Sequence, residues 1–332
     1  MELMSSLTVA TRRLWCPGIL IACAALTLAP VRALSADNTF DKSLAVNGHV
    51  RLDLNNGSGN VDIRGSADGK VHISGKVTAG WSVFGSSDKS VQDVVANPPI
   101  DQHDNSIHIG RNNSMFKNIS IDYKIEVPRD TDIDAEVASG GITIDGVHGP
   151  VKASSASGYV HVYRVESDTQ LNAASGSIEA SGIGGILRVS SASGDIVLSD
   201  VKGDVKVSAA SGSIRVTNPG DRVDASSASG SIEITGAKND LKIHAISGSV
   251  HIDGDPANRF WELKSVSGSV DIRVPSNASF LLSAESMSGG IRTNIPVILE
   301  EQGKHSLRAH VGSSSGRIEV HTVSGGVDVQ GT

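Results

Sequence analysis

The chain has 332 residues, 3% of them aromatic, and a formal net charge of −7 at neutral pH. This negative charge argues against nucleic acid or an anionic membrane as the main partner, and the scarcity of aromatic residues is unusual for a sugar-binding cleft built on stacked rings. The only cysteines, Cys16 and Cys23, lie near the N-terminus. If that segment is removed, the remainder can hold no disulfide, no cysteine-ligated metal and no cysteine nucleophile.

Residues 1–36 are predicted to be a signal peptide. Arg12 and Arg13 precede a mostly apolar stretch over residues 14–29, which is too short for a transmembrane helix. Cleavage is expected after Ala33 or Ala36, which predicts an exported protein of the periplasm, the cell envelope or the medium, with no transmembrane span in the mature chain. The less favoured alternatives are a lipid anchor at Cys23, which ends a lipoprotein-like box, and a twin-arginine signal.

Residues 37–129 are predicted to form an N-terminal capping part. Apolar and polar residues alternate in several short strands, and residues 88–96 favour a helix that ends before two prolines. Trp81, Phe84 and Phe116 belong to the densest irregular apolar patch of this region. We interpret them as packing the cap onto the first coils; a ligand-binding loop is the alternative.

Residues 130–332 are predicted to form the regular repeats, with longer bends after residue 255. A Ser-Gly dipeptide recurs with an 18-residue period, at Ser139-Gly140, Ser157-Gly158, Ser175-Gly176, Ser193-Gly194, Ser211-Gly212, Ser229-Gly230 and Ser247-Gly248. Apolar residues follow each serine at the third and usually the fifth position, which is the inward face of a strand. The period therefore predicts an all-β fold, a single-stranded parallel β-helix (β-solenoid) with at least two strands in each 18-residue coil.

The serine of each bend is too repetitive to be a catalytic nucleophile, which needs one base and one oxyanion hole at one place. We predict a structural role, in which serine hydroxyls hydrogen-bond between coils and the glycine adopts a positive φ. Alanine precedes the serine in six of these seven coils. We interpret this alanine as the small residue that a tight corner requires.

The fourth residue after each serine is an outward strand position. We predict that these residues form a row of side chains that either pins the register by cross-strand pairing or binds a glycan or metal. Its candidate binding residues are His161, Glu179, Arg215, Glu233, His251, Asp271 and Arg292.

From Arg215 onward the charges of this row alternate, so each is expected to meet an opposite or titratable neighbour. The alternating carboxylates Asp130, Asp132 and Asp134 lack a calcium-loop pattern. No metal site and no cofactor are predicted.

The segment Ile121-Asp-Tyr-Lys-Ile-Glu-Val-Pro128, the following Ala138-Ser-Gly-Gly-Ile-Thr-Ile-Asp-Gly-Val147 and the repeated Ser-Ala-Ser-Gly motif resemble the bacterial putative-adhesin family with β-strand repeats, domain of unknown function 4097. The resemblance covers residues 46–329. It implies a right-handed parallel β-helix at the cell envelope and offers no catalytic residues.

The leading functional hypothesis is a non-enzymatic exported solenoid that serves as an adhesin or envelope scaffold and binds a cell-surface glycan or an envelope protein. One alternative is a polysaccharide-active enzyme, for which Glu233, His251 and Asp271 are the most plausible cluster. The other is a periplasmic protein-interaction module that captures a partner through an exposed final strand at residues 327–329.

Overall fold

The computed structural model describes residues 38–79, 87–110, 119–313 and 315–332. Within them the chain forms 29 strands, β1 to β29, and one helix, α1. The strands build two long sheets, which we call sheet 1 and sheet 2, of 15 and 14 strands. The predicted all-β solenoid is confirmed, while its handedness stays a prediction. No helix among the described residues is both long and apolar enough to cross a membrane.

Each central coil contributes one strand to each sheet, and the Ser-Gly bend joins the two strands. Sheet 1 takes the strand before the bend: β8 (Thr131–Ser139), β10 (Val151–Ser157), β12 (Thr169–Ser175), β14 (Leu187–Ser193), β16 (Val205–Ser211), β18 (Val223–Ser229), β20 (Leu241–Ser247) and β22 (Phe260–Ser267). Sheet 2 takes the strand after it: β9 (Ile142–Asp145), β11 (Val160–Val165), β13 (Ile178–Ile183), β15 (Ile196–Val201), β17 (Ile214–Thr217), β19 (Ile232–Ala237), β21 (Val250–Gly254) and β23 (Val270–Val274).

Neighbouring coils pair in parallel and in the register of the sequence repeat. Val160 lies opposite Ile178, and Leu187 lies opposite Val205, so partners are one sequence repeat apart. The core lies between the sheets, because the alternate residues of both strands point inward. The predicted inward columns are buried, for example at Ile196 and Leu198 after the bend and Val207 before it.

The N-terminal end is closed by β1 (Thr39–Ala45), β4 (Lys70–Ala79), α1 (Ser87–Ala96), β5 (Ile100–His103), β6 (Ser106–Ile109) and β7 (Ile119–Pro128). Between these elements and the regular repeats lies a coil of β2 (Val50–Ser58) and β3 (Val61–Ser66), with Ser58 opposite Ser139 in the same register as the repeats. The predicted helix is present and buries Val91 and Val94 against the strands of this end.

The C-terminal coils do not stack in chain order. They comprise β24 (Phe280–Ser286), β25 (Ile291–Thr293), β26 (Ile298–Gln302), β27 (Ser306–Val311), β28 (Gly316–Thr322) and β29 (Val327–Gly331). The coil β28–β29 lies between β22–β23 and β24–β25.

The prediction that the final strand is an exposed edge is therefore wrong. β29 has a parallel neighbour on each side, and β25 and β26 end the two sheets instead. The physical reason is that all coils share the same bend and the same inward–outward alternation. One coil can therefore pair beside any other.

Candidate binding surfaces

The Ser-Gly bends are held by main-chain contacts between coils. Gly158 has φ = 141° and donates its N–H to the Ser175 carbonyl oxygen at 3.0 Å. The glycines of the other six central bends also have positive φ, as the sequence predicted. The serine side chains are exposed, and among the described residues their hydroxyls make no hydrogen bond to a neighbouring coil. The predicted hydroxyl ladder is wrong, since the serine ends its strand with the side chain outward and only its carbonyl points along the stack.

The alanine before each bend serine faces outward, which corrects its interpretation as a corner residue. Ala156 and Ala174 are exposed, whereas the residue one position earlier is buried, as at Ser155 and Ala173. That inward position is held by a buried serine or alanine in every coil from Ser155 to Ala245, so it is the one that needs a small side chain. The position before the serine has no such limit, and larger residues occupy it near the C-terminus.

The outward row of sheet 2 contains all seven candidate binding residues. We call it the charge row, and in spatial order it consists of His161, Glu179, Val197, Arg215, Glu233, His251, Asp271, Asp328 and Arg292.

Four ion pairs join neighbours within the charge row. Arg215 Nε lies 2.9 Å from Glu233 Oε2, and His251 Nδ1 lies 3.1 Å from Asp271 Oδ2. His161 Nε2 lies 4.0 Å from Glu179 Oε2, and Arg292 Nε lies 3.9 Å from Asp328 Oδ2. These side chains are partly or fully exposed, so each pair contributes little stability and remains open to a ligand.

The expected alternation of charge fails at the C-terminal end of the row. Because β29 lies between β23 and β25, Asp328 is opposite Asp271, and Arg292 follows Asp328 rather than Asp271. Two carboxylates therefore stand one coil apart, flanked by His251 on one side and Arg292 on the other. Sequence spacing could not indicate this pair, since it depends on the insertion of the last coil.

The cluster considered for an enzyme, Glu233, His251 and Asp271, is contiguous on the surface of sheet 2. It lines an open depression of about 260 Å³. Glu233 is paired with Arg215, and the other two residues are paired with each other. All three carry substantially exposed side chains, so the cluster has neither the desolvation nor the enclosed space that general acid–base catalysis normally uses.

The carboxylates at the start of β8 are occupied by cationic side chains. His49 bridges Asp130 at 3.0 Å and Asp132 at 3.1 Å, and the Lys152 Nζ lies 3.0 Å from Asp134. Hydrogen bonding to Asp130 and then Asp132 raises the pKa of His49. Among the described residues no group of three histidine or carboxylate side chains is arranged to hold a metal ion.

An exposed apolar surface near the C-terminal end was not predicted from the sequence. We call it the apolar strip, and it runs across four adjacent coils in the order Ile246, Val266, Val323 and Met287. Met287 is 74% exposed and Ile246 is 56% exposed. Solvent-exposed aliphatic side chains in a contiguous row mark an interaction surface more often than scattered ones do.

The apolar strip lines the wall of a groove of about 700 Å³. Beside it the outward residues of sheet 1 are His244, Lys264, His321 and Glu285, which neighbour one another across the coils. His321 Nδ1 lies 3.3 Å from Glu285 Oε2. The sequence did carry a sign of the apolar strip, because in these four coils a larger apolar residue replaces the alanine before the bend serine.

The remaining candidates, Trp81, Phe84, Phe116 and the possible lipid anchor Cys23, lie outside the described residues. The signal peptide at residues 1–36 lies outside them as well.

Comparison with known proteins gives a match to one family model. The family model Toastrack DUF4097 matches residues 35–259 and 185–330. No curated protein matches the sequence significantly.

Solved structures that this chain is similar to include a "putative cell adhesion protein" from Clostridium sporogenes, at 12% identity and a TM-score of 0.21, covering 89% of this chain and 99% of that one. A "putative lipid binding protein" from Parabacteroides distasonis has 12% identity and a TM-score of 0.38, covering 89% of this chain and 97% of that one. A "putative adhesin" from the same organism has 13% identity and a TM-score of 0.32, with 88% and 96% covered.

Proposed function

Because this chain belongs to the Toastrack DUF4097 family, we propose that it is a non-enzymatic, exported scaffold of the adhesin type. Its binding face is the outer surface of sheet 2, and its partner is a cell-surface glycan or an envelope protein. The observation that carries the proposal is the charge row, in which one exposed side chain per coil recurs at the strand spacing of about 4.8 Å.

A regular row of weak contacts is suited to a repetitive partner. Each exposed ion pair of the charge row can exchange its internal contact for one to a ligand at little cost, since such pairs contribute roughly 0–1 kcal/mol. Many such exchanges along one rigid sheet add up through effective concentration rather than through one deep pocket. A polymer or a crowded envelope surface supplies the repeats that this mode of binding needs.

Export is the second part of the proposal, and it rests on the basic and apolar pattern of residues 1–36. Cleavage after Ala33 or Ala36 would release the solenoid into the periplasm, the envelope or the medium. A lipid at Cys23 would instead hold it on a membrane.

Co-sedimentation of the mature chain with isolated cell walls and insoluble polysaccharides tests the binding role. Retention is expected in the wild type, with at least a fivefold loss in a variant carrying Arg215→Gln, Glu233→Gln and Asp271→Asn. The matched control is Ser190→Ala with Ser208→Ala, which changes two outward residues of sheet 1. Release of reducing sugar ends that the Glu233→Gln change abolishes would instead support the polysaccharide-active enzyme.

The apolar strip favours a second candidate function, a protein-interaction module. Its partner would be an extended segment whose apolar side chains contact the apolar strip. The segment would also carry acidic residues, because the groove is lined by three histidines and Lys264 but by one acidic residue, Glu285. Crosslinking from a photoreactive residue at position 287 in the native envelope should capture one discrete protein. The wild-type chain should pull that protein down, and the Met287→Lys variant should not. An equal yield from a photoreactive residue at position 197 would contradict it.

A further inference from the structure

Two of the three tyrosines of this chain stand on the outer face of sheet 2, although the sequence is poor in aromatic residues. Tyr159 and Tyr163 lie on or next to β11, whereas Tyr123 is buried in the core. His161 lies between them on the same face, since alternate residues of a strand point the same way. We call Tyr159, His161 and Tyr163 the tyrosine platform.

The platform is created by two linked departures from the repeat. The second residue after the bend serine is small and polar in the next coils, as at Ser177 and Asp195, but it is tyrosine at Tyr159 and glycine at Gly141. The ring of Tyr159 covers Gly141, and a Cβ on Gly141 would lie 2.2 Å from its Cζ atom. The missing side chain in one coil is therefore what leaves room for the ring of the next coil over Gly141.

The three rings form a file along the strand. The rings of Tyr159 and His161 are stacked, with centroids 4.4 Å apart and planes at 29°. Those of His161 and Tyr163 are tilted by 55°, with centroids 6.2 Å apart. Tyr159 remains 37% exposed, so the outer side of the file is open to solvent.

Polar groups border the file on both sides. Thr143 and Asp145 are the strand neighbours of His161 and Tyr163 in the preceding coil, and Glu179 and Ser181 are those in the following coil. Burial, and then the charge and hydrogen bonding of Glu179, raises the pKa of Tyr163. An oxygen of Asp145, Oδ1, is inaccessible to solvent and lacks a hydrogen-bond partner.

We propose that the tyrosine platform binds the flat face of a neutral sugar ring, which gives the scaffold proposed above its ligand class at one defined place. A pyranose presents C–H groups on its faces and hydroxyls around its edge. The C–H face packs on the open outer side of the rings, and the edge hydroxyls donate to the exposed carboxylate of Glu179, which is an acceptor only.

A cationic ligand fits the same residues less well. Recognition of ammonium groups uses rings that surround the charge, whereas these rings lie in an open file. The carboxylates also have basic side chains beside them already: Asp145 contacts the Arg164 guanidinium, and Glu179 lies 4.0 Å from His161 Nε2. The neighbouring acidic groups disfavour an anionic polysaccharide. A neutral glycan is the ligand class that meets both conditions.

Calorimetric titration of the mature chain with neutral hexasaccharides of glucose, mannose and N-acetylglucosamine tests this proposal. At least one should bind, and Tyr159→Ala should weaken binding about tenfold, while Tyr159→Phe should retain most of it because the ring remains. Phe260→Ala is the matched control, since Phe260 is an exposed aromatic residue of β22, in sheet 1 and away from the platform. The melting temperature of each variant confirms that the fold is intact.

A double-mutant cycle separates the platform from a general effect on folding. Gly141→Ala should weaken sugar binding in the wild type, because the new Cβ displaces the Tyr159 ring, and should have no further effect when Tyr159 is already alanine. An additive loss would overturn the role assigned to this ring.

The failure of this proposal can be told apart from failure of the scaffold. If no hexasaccharide binds, or if Tyr159→Ala binds as well as the wild type, the platform has no sugar-binding role. Retention of the wild type on cell walls would still uphold the scaffold in either case. Binding of a quaternary ammonium compound that Tyr159→Ala abolishes, without sugar binding, would replace the glycan by a cationic ligand.

Discussion

Gly212 sits directly against the main chain of Gly194, and a Cβ on Gly212 would lie 2.3 Å from the Gly194 carbonyl oxygen. Its φ of 118° is also unfavourable for any residue with a side chain. We expect Gly212→Ala to lower the free energy of unfolding by about 1–3 kcal/mol from the backbone conformation alone, and by more once the collision is included. Chemical denaturation measures this change.

The control is Gly69→Ala, since Gly69 is exposed and nothing lies within 4 Å of the position of its Cβ. It should change stability by a few tenths of a kcal/mol at most. Equal effects of the two changes would mean that the bend does not need glycine.

One residue at or just after the end of the sheet 2 strand has a positive φ in consecutive coils, and Arg164 is the unusual residue at this position. Its φ is 52°, and the corresponding residues in neighbouring coils are Gly146, Gly182, Asp200 and Asn218, all with positive φ. Glycine, asparagine and aspartate tolerate this conformation better than arginine does. Arg164→Asn should therefore raise the free energy of unfolding by roughly 0.5–1 kcal/mol, because the contact with Asp145 that it loses is made by an arginine side chain that is 74% exposed. A lower melting temperature would show that this contact outweighs the strain.

Asp328 and Asp271 form the like-charged neighbours of the charge row. Replacing Asp328 by asparagine removes the repulsion and gives up only a 3.9 Å contact to Arg292, whose side chain is 82% exposed. Stability at neutral pH and low salt should rise by a few tenths of a kcal/mol, and the gain should shrink in 1 M salt, where the Debye length is about 3 Å. Asp271→Asn is the contrast, because it also removes the partner of His251; a larger gain there would contradict this assignment.

His49 predicts a pH dependence of stability. Hydrogen bonds with Asp130 and Asp132 raise its pKa above the ordinary 6.5, so the folded chain binds the proton more tightly than the unfolded chain. The stabilisation is complete below about pH 6.5 and is lost as the pH rises through the raised value. The pH 6 to pH 8 difference in unfolding free energy should be smaller in His49→Gln by a few tenths of a kcal/mol, given the exposure of the pair. An unchanged difference would exclude this contribution.

The 18-residue period was enough to predict the strands, the inward columns and the register of the central coils. It could not predict the order of the last coils, because the strands that begin at Val327 and at Ile291 have the same repeat pattern, and either would fit beside β23. Nor did it identify β2 and β3 as a coil, since their Ser58-Gly59 bend is separated from the next one by a long excursion.

The candidate surfaces could be predicted where they follow from the inward–outward alternation along a strand. They could not be predicted where they depend on which coils lie side by side. His161 to Asp271 were placed outward from periodicity alone, whereas the meeting of Asp271 with Asp328 needed the order of the coils. The apolar strip had a visible signal in Ile246 and Met287, which interrupt the alanine column. Its meaning was missed because the alanine was interpreted as the small residue that a tight corner requires.

The placement of β28–β29 between two earlier coils affects how the chain can fold. Each central strand pairs with partners one sequence repeat away, so these coils can form one after another in chain order. On its C-terminal side β22 pairs with β28, with Trp261 opposite Ile318, which comes much later in the chain. If β24 paired with β22 before β28 is available, it would occupy the position that β28 takes in the folded chain. We therefore expect closure of this end to be a late and slow step. A chain that stops short of β28 would leave edges of β22 and β24 in sheet 1, and of β23 and β25 in sheet 2, unpaired and open to proteases and to other copies of itself.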